Sequence, residues 1–245
     1  MTEAHTEDRL LGGRVLLRQP RLGLRAGLDA VLLAAGIPAR AGQTVLEAGC
    51  GSGAGFLCLA TRVPGLRIVA VERDPALAAL AVANAAANGI AAEVITGDIR
   101  DPALARRLPP CDHAFANPPF WPAGTTPPEP RRGTMTHATE GAARLADWAR
   151  FLATPLARRG SLSLILPAAH LDGGMAALAA AGCAGTRLLP FWPREGLPAK
   201  RMLLQSRRGS RGPASIAPGL VLHAGAGFTP AAEAVLRDAA ALAGN

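Results

Sequence analysis

The chain has 245 residues, 49% of them hydrophobic, with 26 basic and 18 acidic side chains for a formal charge of +8. That length suits one domain with a large core, and no apolar run approaches the ~18 residues of a membrane span. The positive charge is nearly all arginine, with Lys200 the single lysine, so the total carries less weight than its placement.

The start, Met1 to Asp8, is polar and acidic and lacks the pattern of a secretory signal, so residues 1–10 are expected to be a mobile tail and 11–245 one domain. Gly12–Gln19 reads as hairpin-like, and a helix follows over Asp29–Ile37. A strand at Thr44–Leu46 runs into the glycine-rich turn Gly49-Cys50-Gly51-Ser52-Gly53, which opens a helix over Ala54–Thr61. A strand at Arg67–Val71 ends in Glu72. Asp74 and Pro75 are N-cap and first residue of a helix to Asn88, which Gly89 stops. A strand over Glu93–Thr96 ends in Gly97-Asp98, and a short helix occupies Pro102–Arg107. A strand at His113–Ala116 delivers Asn117-Pro118-Pro119-Phe120. Pro122–Arg132 has neither helical nor strand period and is a long loop beside that turn. A helix over Gly141–Leu156 carries Leu145, Trp148, Leu152 and Leu156 at helical spacing, with Trp148 assigned to the core. Then come a strand at Ser161–Leu166, a helix at Leu171–Ala181, strands at Thr186–Leu189, Met202–Gln205 and Leu220–His223, and a helix capped by Thr229 with Pro230 first. This β-α alternation implies a parallel sheet with helices on both faces.

Asn117-Pro118-Pro119-Phe120 carries the most chemistry. Two prolines fix φ and remove two backbone donors, which leaves the Asn117 amide oxygen and the Pro118 carbonyl as acceptors beside an aromatic face. That set suits a planar group bearing an NH2: an exocyclic amine of a nucleobase or a side-chain amide. The glycine turn lets backbone approach a ligand, but Ala54 and Phe56 break the dinucleotide fingerprint. Glu47, two residues before Gly49, disfavours a pyrophosphate and suits an ammonium. Glu72, 19 residues after Gly53, stands where an acid can hold a ribose diol, and Asp98 where one could accept from an adenine amine.

These residues resemble the class I S-adenosylmethionine-dependent methyltransferases of the amino-methylating branch, and above all the bacterial tRNA(Val) adenine N6-methyltransferases. Gly27–Ala34 resembles that family's helix before the first strand, and Leu197–Leu204 its last strand. The resemblance implies a Rossmann-like seven-stranded sheet with helices on both faces and a C-terminal antiparallel hairpin. It implies S-adenosylmethionine held by Asp29, Glu47, Gly49, Cys50, Gly51, Gly53, Glu72 and Asp98, and catalysis by Asn117, Pro118, Pro119 and Phe120. It points to RNA as partner, tRNA in particular.

The residues add to this. Of nine aromatics, four lie in the doublets Phe120-Trp121 and Phe191-Trp192, and Trp121 and Trp192 are candidates for stacking on a base. Arg131 and Arg132 close the proline loop, and Arg194–Arg211 holds six basic residues against one acid. Arg131, Arg132, Lys200 and Arg201 are therefore candidate phosphate contacts. Asn-Pro-Pro-Phe also occurs in rRNA guanine N2-methyltransferases, so that target stays open. Release-factor glutamine N5-methylation and a non-catalytic RNA- and cofactor-binding module are further alternatives. Four cysteines without a Cys-x-x-Cys pair argue against a disulfide framework or a zinc site, and free thiols suit the cytoplasm. No metal is required, and the sequence leaves the oligomeric state open.

Overall fold

The computed structural model describes residues 5–22, 25–119 and 143–242. Phe120, Trp121, the proline loop with Arg131 and Arg132, and the first residues of the helix expected at 141 lie outside the described residues.

The elements, in chain order, are β1 (His5–Leu10), β2 (Val15–Pro20), α1 (Leu28–Gly36), β3 (Thr44–Ala48), α2 (Ala54–Arg62), β4 (Arg67–Glu72), α3 (Pro75–Ala87), β5 (Ala92–Thr96), α4 (Pro102–Arg107) and β6 (Cys111–Ala116). Then follow α5 (Leu145–Ala153), β7 (Leu156–Pro167), α6 (Leu171–Ala180), β8 (Cys183–Trp192), β9 (Arg201–Arg208), β10 (Ser215–Ile216), β11 (Leu220–Val221), β12 (His223–Ala224), β13 (Gly227–Phe228) and α7 (Pro230–Arg237). Seven long strands lie in the order β8-β9-β7-β6-β3-β4-β5, and the two-residue strands β10 and β11 add to β8. All neighbours are parallel except β9, which runs antiparallel to both β7 and β8. The fold is the expected α/β sheet with its hairpin.

Side chains alternate across this sheet, so each strand feeds two cores. Val45, Ile68 and Phe115 pack under α1, α2 and α7, while Leu46, Val69 and Ala114 pack under α4, α5 and α6. Caps hold the helix starts where the sequence predicts them. Asp74 accepts from the Ala76 and Leu77 amides (2.8 and 3.4 Å), and Thr229 accepts from the Ala232 amide (3.1 Å).

Three expectations are corrected. His5–Leu10, assigned to a mobile tail, is a strand paired with β2 from His5↔Pro20 to Leu10↔Val15. Its residues alternate between exposed and half-buried, so it rests on its backbone ladder and on polar ties such as Gln19 Nε2 to Asp8 (3.1 Å), which apolar periodicity does not reveal. The helix expected to reach Leu156 stops at Ala153, because Pro155 cannot continue it. The Pro155 carbonyl instead accepts from Cys111 N (3.0 Å), and Leu156 opens β7 opposite Cys111. Of Leu220–His223, only Leu220–Val221 joins the sheet, and His223 turns into a separate hairpin with Phe228.

Candidate active site

Strand register decides which loops meet. Ala48 lies beside both Val71 and Ala116, and Glu72 lies beside Thr96. The residues that follow, Gly49, Asn117, Glu72 and Gly97-Asp98, therefore leave four adjacent strands at one level. Neighbouring strands are about 4.8 Å apart, so this row spans about 15 Å along the carboxyl edge of the sheet. Open α/β sheets bind ligands at that edge.

The glycine turn is built for close approach. Gly49, Gly51 and Gly53 have φ of 64°, 55° and 96°, a region that strongly favours glycine. A side chain at Gly49 would meet Trp148 Cη2 at 2.5 Å, so the buried Trp148 ring supports the turn from below as a core residue. A side chain at Gly51 would meet no described residue within 4 Å. That side of the turn can carry a ligand. The Gly51 amide meanwhile donates to Glu72 Oε2 (2.8 Å), and Glu72 Oε1 accepts from Asp74 N (2.9 Å). Both oxygens of Glu72 are thus fixed in place and keep lone pairs for hydroxyl donors.

Glu47 lies beneath the turn and is 4% exposed. Its Oε2 accepts from Phe56 N (2.7 Å), near the start of α2. Burial, only partly offset by that bond and reinforced by the charge of Glu72, pushes its carboxyl up to about 8. A cation placed nearby would favour the ionised form. Gly55, which no sequence motif singled out, makes room for this acid: a side chain there would overlap the Glu47 carboxylate. Cys50 is buried, and burial with the two acids holds its thiol protonated, which removes it as a nucleophile.

Asp98 is not a bare acceptor. Arg100, missed by sequence reasoning, grips it through Nη2 at 2.6 Å and Nε at 3.1 Å, and this hydrogen bonding lowers the Asp98 carboxyl. Any further donor reaching Asp98 would share it with that guanidinium. Asn117 is exposed, and its amide has no hydrogen-bond partner among the described residues. Pro118 is buried behind it and Pro119 exposed.

The other candidates sit where β7 and β9 meet this edge, with Pro167 opposite Arg201. Asp29, in the first turn of α1, accepts from Arg201 Nε (3.0 Å), so the expected cofactor acid and the expected phosphate contact form an ion pair. Lys200 is exposed. Phe191 is buried in the core, whereas Trp192 is half-buried with Nε1 donating to the Pro218 carbonyl (3.1 Å). Trp192, Glu195, Leu197, Pro198 and Pro218 line a cavity of about 560 Å³. Among the described residues no group of three His, Cys, Asp or Glu could hold a metal ion.

A parallel sheet with one reversed strand, an acid under a triple-glycine turn and an acid at the next strand end define a Rossmann-like methyltransferase site, and the geometry fits S-adenosylmethionine. Comparison with known proteins agrees. The family model described as methyltransferase small domain matches residues 26–139. A tRNA1(Val) (adenine(37)-N6)-methyltransferase of Aeromonas hydrophila is 32% identical over 190 residues, which span 77% of this chain and 79% of that one. A solved structure of a predicted O-methyltransferase of Agrobacterium tumefaciens superposes with a TM-score of 0.72 at 25% identity, covering 87% of this chain and 98% of that one. The 16S rRNA N2 G1207 methyltransferase of Thermus thermophilus, solved with AdoMet and guanosine, shares the fold (TM-score 0.56, 20% identity, 83% of this chain and 50% of that one). The chain belongs to the methyltransferase small-domain family and is an S-adenosylmethionine-dependent methyltransferase.

Proposed function

We propose that the enzyme methylates an exocyclic nucleobase amine, the N6 of an adenine in a tRNA anticodon loop, in the cytoplasm. The observation that carries this reading is the exposed Asn117 amide, free of partners among the described residues and level with the glycine turn. The relative's name, an adenine N6 activity on tRNA, supplies the target.

S-adenosylmethionine, when bound, supplies an electrophilic methyl group. Glu47 would face its ammonium, Glu72 its ribose and Asp98 its adenine. The chain's own task is to present the acceptor nitrogen. An exocyclic amine is a weak nucleophile because its lone pair is conjugated with the ring. Asn117 Oδ1 and the Pro118 carbonyl accept its two hydrogens and favour a pyramidal nitrogen as the new bond forms. Proline fixes that carbonyl, so little reorganisation is needed. Phe120 provides the stacking face, and Trp121, Arg131, Arg132, Trp192, Lys200 and Arg201 contact the surrounding RNA. The target base must be unstacked, which suits a loop.

The test is incubation with labelled S-adenosylmethionine and, separately, bulk tRNA, rRNA and release factor, followed by digestion. Label is expected in N6-methyladenosine from tRNA. Label in N2-methylguanosine or in glutamine overturns the proposal. In the same assay Asn117→Ala should lower turnover by about 10²–10³-fold, on the scale of losing one preorganised polar contact, with cofactor affinity nearly unchanged. Equal losses in both would remove Asn117 from the assigned role.

A further inference from the structure

The basic run Arg194–Arg211 reads in sequence as one patch, and the fold divides it. Because β9 runs antiparallel, Arg201 lies at the carboxyl edge beside Pro167, while Arg207 lies opposite Ser161, well down β7. Eight residues of strand place the two ends of β9 about 23 Å apart. The far end carries its own feature. Arg158, Arg159, Arg207, Gly209, Ser210 and Arg211 line a cavity of about 730 Å³ that no catalytic element touches. All four arginines are exposed, and none is ion-paired among the described residues. Among the described residues no acid lines the cavity.

Local structure holds this charge together. Arg159 has φ of 65°, a left-handed conformation that costs a non-glycine residue about 1–2 kcal/mol. In a regular strand Arg158 and Arg159 would point to opposite faces, and the left-handed residue lets both border one cavity. The opposite wall is fixed by Arg207 Nη1 donating to the Arg159 carbonyl (3.2 Å) and by Gly209 N donating to the Gly182 carbonyl (2.9 Å). Four unpaired guanidiniums so close repel one another, and a polyanion relieves that repulsion. Arginine's planar fork suits phosphate oxygens in particular.

We propose that this groove is a second RNA-binding site, which grips sugar-phosphate backbone at the amino edge of the sheet while the target base sits at the carboxyl edge. The proposal rests on an RNA substrate. It makes the enzyme prefer an RNA long enough to reach both edges over an isolated loop.

Two variants spare the Arg207 tie and the active site: Arg158→Ala/Arg211→Ala together, and Arg159→Gly, which removes one charge while relieving the left-handed strain. Binding of full-length tRNA and of a short single-stranded oligonucleotide is measured by fluorescence anisotropy across a salt series, and methylation of both is followed. Each lost phosphate contact should flatten the slope of log K against log salt by about 0.9, so the double variant loses about 1.8 and Arg159→Gly about half that. KM for full-length tRNA rises severalfold in the double variant, and kcat and all parameters for the oligonucleotide stay as in wild type. Unchanged salt slopes, or equal losses on both RNAs, overturn the groove. So does a loss confined to anionic vesicles with RNA binding intact. If wild type methylates neither RNA but the slopes still flatten, the RNA-methylation reading fails and the groove stands.

Discussion

Replacement of Asn84 should cost far more than its position on an alanine-rich helix suggests. Asn84 on α3 is fully buried, with Nδ2 donating to the Arg18 and Ser52 carbonyls (both 2.9 Å) and Oδ1 accepting from Arg18 N (3.0 Å). Asn88 treats Leu16 the same way, accepting from its amide (2.8 Å) and donating to its carbonyl (2.7 Å). Four helical residues rise about 6 Å and two strand residues about 6.6 Å, so the two amides match the repeat of β2 and stand in for a neighbouring strand. Asn84→Ala leaves the buried Ser52 carbonyl and the partly buried Arg18 amide and carbonyl without their partner, so stability falls by about 2 kcal/mol. For a domain of this size that lowers Tm by about 4–8 °C. Asn88→Ala should cost about 1 kcal/mol, because half-exposed groups regain water. Asn84→Asp keeps the shape but turns a carboxylate onto two carbonyl oxygens, and should cost at least as much as alanine. Urea unfolding at pH 7 provides the free energies, and amide hydrogen exchange at Leu16 and Arg18 reports the local effect. If Asn84→Ala costs less than 1 kcal/mol, or no more than Asn88→Ala, the strand-mimic account is wrong.

Three further outcomes follow from the same structure. His113 is buried between Ser161 Oγ (2.7 Å) and Gln43 Oε1 (3.0 Å), and burial pushes its imidazole down to about 4 from an ordinary value near 6.5. The unfolded chain therefore binds the proton first, and up to about 3 kcal/mol of stability, fully present above pH 6.5, is lost as pH falls towards 4. Glu47 acts in the opposite sense: its carboxyl is raised to about 8, so the folded chain retains a proton that the unfolded chain loses, and stability falls as pH rises from about 4.5 to 8. Stability–pH curves should flatten between 6.5 and 4 in His113→Gln, and between 4.5 and 8 in Glu47→Gln; curves parallel to wild type refute either assignment. Gly55→Ala should destabilise and weaken cofactor binding, although alanine is the better helix former by about 1 kcal/mol, because the new methyl overlaps the Glu47 carboxylate. A rise in Tm contradicts that packing.

Much of this was legible without coordinates. Asp74-Pro75 and Thr229-Pro230 announce helix starts through local hydrogen bonding and a fixed φ, and Asn117-Pro118-Pro119 follows the end of a strand where the sequence places it. Glu47 and Glu72 stand out because an acid after an apolar run marks a strand end. Contacts between distant segments were not legible. Asp29 and Arg201 are 172 residues apart in the chain, whereas Arg100, only two residues after Asp98, was open to a local reading. The polar β1 has no apolar period to betray it, because its partners are backbone groups of β2.

By itself the sequence determined the order of the long core strands and their helices, the glycine turn and the chemical type of each candidate site residue, since these depend on neighbours a few positions away. Tertiary structure alone decided that Gly49, Glu72 and Asn117 share one level, that Gly55 makes room for a buried acid, and that one basic run reaches both edges of the sheet. Those outcomes depend on strand register and on the reversed direction of β9, and register is settled only when side chains from separate segments pack into a common core.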